Sequence, residues 1–374
     1  MALTFPKFGH RKNIMLQGIR IVEIEGLGPG PFAAMHLADL GADVIVIHRK
    51  ATEGQITSEK SLLDRGKRSI ALDLKDPADL ETALAIIESS DALIEGFRPG
   101  VMERLGLGPE VCHQRNPALV YGRMTGWGQT GPRATQAGHD LNYIATSGAL
   151  WYSSGPGSPP MTPATLVGDI GGGANYLVIG VLAGLLNAKT TGKGTVVDAS
   201  IVDGSAHMMN LLMAVRQSGQ LEETRGQSLL DGPHWCRTYI CMDGKYLSVQ
   251  CLEPKFYREF LDLMGLADQR EFRDQYDKTQ WPRQTERLAE IIAAKPSKHW
   301  DDVFHGSDAC VAVVKSPDDS LSDAHMQARG SWQHTQGALQ AAPAPRFTKD
   351  AAKINAAPIR DQNRAEILSE LKRD

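Results

Sequence analysis

Three acid–base side chains stand in glycine-rich surroundings in this sequence: His139 and Asp140 in Gln136-Ala-Gly-His-Asp-Leu-Asn-Tyr143, and Asp169 in Val167-Gly-Asp-Ile-Gly-Gly-Gly173. An imidazole and a carboxylate brought together can take and return protons near neutral pH. His139 and Asp140 open an expected helix whose free N–H groups lie beside the imidazole, so the Asp140 amide is a candidate donor to a developing oxyanion. Asp169 precedes a glycine run and a long apolar helix. Position alone favours an N-cap there, and a satisfied loop residue is the plainer reading of His139 alone. The stretch Arg123-Met-Thr-Gly-Trp-Gly-Gln-Thr-Gly-Pro-Arg133, with Gly126 at its bend, is supple enough to wrap a ligand.

A second set of residues suits an anion. Gly26-x-Gly28-x-Gly30 follows an expected first strand, and glycines there let a phosphate approach a helix N-terminus. Pro31 stands where a dinucleotide fingerprint has its third glycine. His48-Arg49-Lys50 stands where an acid would hold ribose hydroxyls, so a phosphorylated ribose fits better. Arg65, Lys67, Arg68 and Arg98 add cations that the pattern puts at strand ends of one sheet. Any one of them reads as a solvated loop residue. Their recurrence points to an anion site.

The elements that must position these groups follow from periodicity. Ile19–Ile24, Asp43–His48, Ser69–Asp73, Asp91–Glu95 and Ala118–Arg123 are expected strands. They alternate with helices at 32–40, 77–89 and 101–105. That order specifies an α/β fold with an open, Rossmann-like parallel sheet. After Asp198 the pattern changes to a Met-rich helical stretch, 199–218, then to two strands within 238–250 joined at Asp243-Gly244. Helices at 254–264, 282–294 and 363–372 complete the chain. The expected organisation is a large domain over 15–199 completed by 347–374, a linker at 200–232, a smaller α+β domain at 233–330, and an Ala/Pro-containing linker at 331–346.

Length and composition set the bounds. The 374 residues exceed one ordinary core, and a 42% hydrophobic share rules out long disorder. A net charge of -4 gives no global positive field, so neither nucleic acid nor an anionic membrane is an expected partner. The longest apolar run, Ala174 to Ala188, contains Asn175 and Asn187 and falls short of the roughly 20 residues of a membrane span, so a buried helix is expected. Five scattered cysteines lack metal-site spacing and suggest free thiols in the cytoplasm. Residues 5–13 carry Lys7, Arg11 and Lys12 with no apolar stretch after them, unlike a signal peptide.

Taken together, Gly26-Leu-Gly-Pro-Gly-Pro31, Arg65-Gly-Lys-Arg68, Glu95-Gly-Phe-Arg-Pro-Gly-Val101, Thr125-Gly-Trp-Gly-Gln-Thr-Gly-Pro132, Ala137-Gly-His-Asp-Leu-Asn-Tyr143, Gly168-Asp169 and Glu253-Pro254 resemble the type III CoA-transferase family. The resemblance runs from about Leu16 to Tyr257, with Asp64 in a place where the family commonly has Asn. It implies a large Rossmann-like domain, a small domain and an interlocked homodimer. It further implies an acyl-CoA thioester as ligand. Arg49, Arg65, Lys67, Arg68 and Arg98 would bind its phosphates, with Gly28, Gly126 and Tyr143 near the pantetheine.

Within the family the chain resembles the branch that racemises 2-methyl-branched acyl-CoA thioesters, because transferases usually lack a histidine at the place of His139. The resemblance gives His139 and Asp169 the two proton-transfer posts and Glu253 the role of fixing the His139 tautomer. The Asp140 amide would hold the enolate oxygen. Neither a metal nor a cofactor beyond CoA is implied. CoA transfer through an acyl-Asp169 intermediate is the alternative, and an NADP-binding protein or non-catalytic CoA binder rests on the glycine turn alone.

Overall fold

The computed structural model describes residues 15–50, 61–347 and 353–372. Residues 5–13, with Lys7, Arg11 and Lys12, lie outside them. Two compact units result: residues up to Ser147, Pro163–His207 and from Arg329 onward form one, and Gly148–Thr162 with Met208–Ala328 form the other.

In chain order the first unit contains β1 (Arg20–Ile24), α1 (Pro29–Asp39), β2 (Asp43–Arg49), β3 (Arg68–Leu72), α2 (Pro77–Glu88), β4 (Ala92–Glu95), α3 (Val101–Arg104), α4 (Pro109–Arg115) and β5 (Val120–Thr125). There follow α5 (Asp140–Ser147), a π-helical segment Leu166–Ala174 that runs on into α6 (Asn175–Thr191), β6 (Thr195–Ser200) and α7 (Ile201–Met208). The six strands are parallel in the order β3-β2-β1-β4-β5-β6. Helices cover both faces, so the inner strands are apolar at nearly every position. Alternation along β1 sends Ile21 into one core with Leu37, Val44, Leu177 and Val181, and Val22 into another with Ile45, Ile70, Ile86 and Tyr121. The strand order reverses between β1 and β4. A crevice opens at such a point beyond the carboxyl ends of the strands.

The second unit contains α8 (Asn210–Gln217), β7 (Cys236–Ile240), β8 (Tyr246–Gln250), α9 (Pro254–Met264), α10 (Trp281–Ala293), α11 (Ser297–Phe304), β9 (Val311–Val313), α12 (Pro317–Ser320) and α13 (Ala324–Arg329). Its three strands form an antiparallel sheet, β7-β8-β9, around a core that includes Trp235, Phe260, Phe272, Leu288 and Trp300. The Asp243-Gly244 turn is present, with Gly244 at φ 75° and the Asp243 carboxylate accepting from the amide and hydroxyl of Ser297.

The chain then returns to the first unit through a hairpin, β10 (Trp332–Thr335) and β11 (Ala338–Ala341), and ends in α14 (Arg364–Glu370). Ahead of α14 the chain lies along the free edge of β3. Asn363 N–H donates to Ser69 O, Asn363 Oδ1 accepts from Ser69 N–H, and Asp361 Oδ1 accepts from Ala71 N–H. These bonds cover an edge that would otherwise offer unpaired backbone groups.

Three expectations change. The stretch 199–218 is two helices broken at Met209, α7 in the first unit and α8 in the second. The segments expected as linkers, 200–232 and 331–346, carry α7, α8 and the β10–β11 hairpin. The helix expected over the Ala174–Ala188 run spans 26 residues, Leu166–Thr191, because the π-helical segment extends it. By length and composition it is apolar enough to cross a membrane. Here Leu177, Val178, Val181 and Leu185 on one side join the sheet core, while Ile179 and Leu186 on the other are 60% and 69% exposed.

Candidate active site

The crevice between β1 and β4 holds a cavity of about 370 Å³, whose walls include Gly28, Phe97, Arg98, His139, Tyr143 and Asp169. Each comes from the carboxyl end of a strand or the head of a helix. Gly28 precedes α1 with φ 68°, a conformation that suits glycine, and a Cβ there would lie 3.9 Å from Asp169 Oδ2. Phe97 and Arg98 follow β4, where the buried Glu95 fixes the turn by accepting from the Phe97 amide at 2.7 Å and from Arg123 Nε at 3.0 Å. Burial holds Glu95 up at about 7 against those bonds and the Arg123 charge.

His139 is exposed, with its amide donating to Asn142 Oδ1 at 3.0 Å, and α5 starts at the next residue. Tyr143, one turn on, is buried. Its hydroxyl donates to Gly138 O, and its ring meets Trp127 edge-on at 4.8 Å. A Cβ at Gly126 would sit 1.9 Å from the Tyr143 ring, so only glycine allows this packing. Burial raises the Tyr143 hydroxyl, as does the Asp169 charge, against the Arg98 cation. Gly126 and Tyr143 thus shape one wall.

Asp169 is not an N-cap. It is the fourth residue of the π-helical segment, whose cap position is Thr165. Wide helical turns of this kind are uncommon and frequent at functional sites. Burial raises the Asp169 carboxyl to about 6, helped by the Asp140 carboxylate and opposed by His139. Asp140 is buried, and its Oδ1 accepts the Asp169 amide at 2.8 Å. His139, Asp140 and Asp169 therefore form one acid–base cluster. Within it the raised Asp169 carboxyl is suited to gaining and losing a proton near neutral pH.

The expected cations divide. Arg49 and Arg98 are exposed and carry no side-chain ion pair among the described residues. Arg49, with Lys75, borders a second cavity of about 320 Å³, walled by Ile24, Ile47, Leu72 and Leu105, and Phe97 lines both cavities. Arg65, Lys67 and Arg68 are consumed internally. Arg65 binds the Asp39 carboxylate at 2.5 Å and Ala341 O at 2.8 Å. Lys67 is fully buried against Glu23 at 2.5 Å, Pro31 O at 3.2 Å and Asp64 at 3.3 Å. Arg68 begins β3, at the amino ends of the strands and away from the crevice, and pairs with Asp43 and Glu370. The expected row of strand-end cations mixed the amino and carboxyl ends of the strands.

Glu253 belongs to the second unit, at the cap position of α9, and is exposed. Sequence reasoning gave no role to Phe97 and Trp127. Both are aromatics inside glycine-rich strand-end loops, which was the available signal. Among the described residues no group of three His, Cys, Asp or Glu side chains is disposed to hold a metal ion.

Residues 16–364 match the family described as CoA-transferase family III. The chain is 39% identical to human alpha-methylacyl-CoA racemase over 318 residues, 85% of this chain and 82% of the human protein. It is 38% identical to the mouse alpha-methylacyl-CoA racemase, over 89% and 86% of the two chains. In fold it resembles the crystal structure of a CAIB/BAIF family protein from Brucella suis, with a TM-score of 0.79 at 24% identity, over 96% of this chain and 100% of that one.

Proposed function

Because the chain belongs to CoA-transferase family III, we propose that it is a racemase inverting the α-carbon of 2-methyl-branched acyl-CoA thioesters. The observation that carries this reading is the pairing of His139 with Asp169 on one cavity, in a chain 39% identical to a protein of that activity. Inversion next to a thioester needs a proton removed from one face and another returned to the opposite face. An imidazole and a carboxyl held near 6 are suited to both halves of that exchange.

The two cavities that share Phe97 suit the two ends of one long ligand. The apolar slot would take the adenine, with Arg49 and Lys75 at its rim for phosphate. The pantetheine would pass Phe97 and Arg98 and deliver the thioester to His139 and Asp169. As the proton leaves, charge moves to the thioester oxygen. The Asp140 amide, at the head of α5 and without a partner among the described residues, would receive it. The family resemblance further gives Glu253 the role of holding the His139 tautomer. Proton transfer of this kind calls for no cofactor beyond the CoA of the substrate, and the free cysteines agree with a cytoplasmic setting.

The test is incubation with a single-enantiomer 2-methylacyl-CoA and an added carboxylic acid. Loss of optical purity without CoA transfer supports the racemase. CoA moved to the added acid, with an acyl-Asp169 adduct trapped by hydroxylamine, would replace it with the transferase reading.

A further inference from the structure

An aspartate at the head of a helix ordinarily accepts N–H groups of its own helix. Asp140 does not. Its Oδ1 is turned across to the π-helical segment and accepts the Asp169 amide at 2.8 Å, and Oδ2 is buried with no partner among the described residues. The residue is only 6% exposed. The slot is shaped for it: a Cβ at Gly168 would come within 2.4 Å of Asp140 Oδ1 and 2.9 Å of Ile144 Cγ2. Past a turn bond from Leu166 N–H to Pro163 O, the wide helical ladder starts with Ile170 N–H to Thr165 O at 3.0 Å, so the Asp169 amide precedes that ladder and would be orphaned without Asp140. A buried acid set beside another acid is unfavourable for both as anions. Its retention in a glycine-shaped slot asks for a reason beyond folding.

We propose that Asp140 is a positioning residue whose carboxylate clamps the Asp169 peptide and so sets where the Asp169 carboxylate meets the reacting carbon. Because His139 is its immediate neighbour, a single dipeptide carries one base and fixes the backbone of the other. The separation of the two bases is then held by one short lever rather than by the long chain path between residues 139 and 169. This inference rests on the racemase reading.

The test compares the unsubstituted protein with Asp140→Ala, Asp140→Asn and Asp169→Asn, following α-proton exchange from each enantiomer of a 2-methylacyl-CoA in deuterated water. Asp169→Asn identifies the enantiomer whose hydrogen faces Asp169. Asp140→Ala should lower kcat on the order of 10²-fold, the loss typical of a reacting group displaced by about 1 Å, with KM changed by less than about threefold. Its exchange should fall for the Asp169-facing enantiomer while the His139-facing one keeps exchanging. Asp140→Asn retains an acceptor oxygen and should recover kcat to within about tenfold of the unsubstituted protein. Should the alanine variant not fold, the asparagine variant decides alone, by the same fold-change. Equal loss of exchange from both enantiomers, a change in KM alone, or an asparagine variant no better than Asp169→Asn would overturn the inference. Absence of exchange in the unsubstituted protein would overturn the racemase reading, and this inference with it.

Discussion

At the scale of single residues, burial away from water and the neighbouring Asp140 carboxylate make the Asp169 carboxyl reluctant to ionise. On the proposed two-base scheme one proton is shared between His139 and Asp169, and a second proton would block the base. The acidic limb of kcat/KM should therefore fall through about pH 6, the raised value of Asp169, and decline tenfold per unit below it, alike for both enantiomers. The sign follows from the shift: a raised pKa keeps the proton on Asp169 to higher pH, so activity is lost sooner on acidification. Initial rates against pH measure this, and a limb near 4 would mean that Asp169 behaves as an ordinary aspartate. The cations give a second expectation. Arg49→Ala and Arg98→Ala should each raise KM for the CoA thioester several-fold, on the order of 1–2 kcal/mol, with kcat little changed, because phosphate is held alike in ground and transition states. Arg68→Ala should leave KM unchanged, since that side chain faces Asp43 and Glu370. An altered KM in Arg68→Ala would return it to the ligand site.

At the scale of elements, the head of α1 is held from beneath by Lys67, which donates to Pro31 O while paired with Glu23 and Asp64. Removing one partner of a buried pair leaves the other uncompensated, so Lys67→Met should destabilise the fold by about 3–5 kcal/mol in urea unfolding. Adding Glu23→Leu should recover much of that loss, and a double variant as unstable as the single one would contradict the pairing. Much of this architecture was legible. Strands β1 to β5 follow the apolar runs closely, because burial on both faces leaves little choice of residue. The edge strand β6 was not, since four of its six residues remain at least partly exposed and the signal ends in Asp198. The cations were misjudged for a different reason. Arg68 finds Glu370 302 residues away, and Lys67 finds Glu23 44 residues away. Local pattern cannot report such partners. The motifs around His139 and Asp169 pointed to two residues that line one cavity, whereas the bond from the Asp169 amide to the Asp140 carboxylate was not legible, because a helix head suggested the Asp140 amide instead.

At the scale of the whole molecule, the helix Leu166–Thr191 turns Ile179 and Leu186 outward, and Leu211, at 75% exposed, stands on α8. Apolar side chains so exposed ask for a cover, and we infer a second copy of the chain, interlocked as the family resemblance implies. An interlocked pair cannot separate without partial unfolding. Sedimentation should show an active dimer undiminished at nanomolar concentration, and a compact active monomer would defeat the interlocked form. The central claim, that His139 and Asp169 move protons on opposite faces of an α-carbon, is tested most directly by solvent deuterium. In deuterated water, each enantiomer of a 2-methylacyl-CoA should yield the opposite enantiomer carrying deuterium at the α-carbon. His139→Ala should lose inversion by on the order of 10²–10⁴-fold while retaining exchange from the enantiomer that faces Asp169. Inverted product that keeps its original hydrogen, or a His139→Ala variant that inverts at the normal rate, would contradict the account.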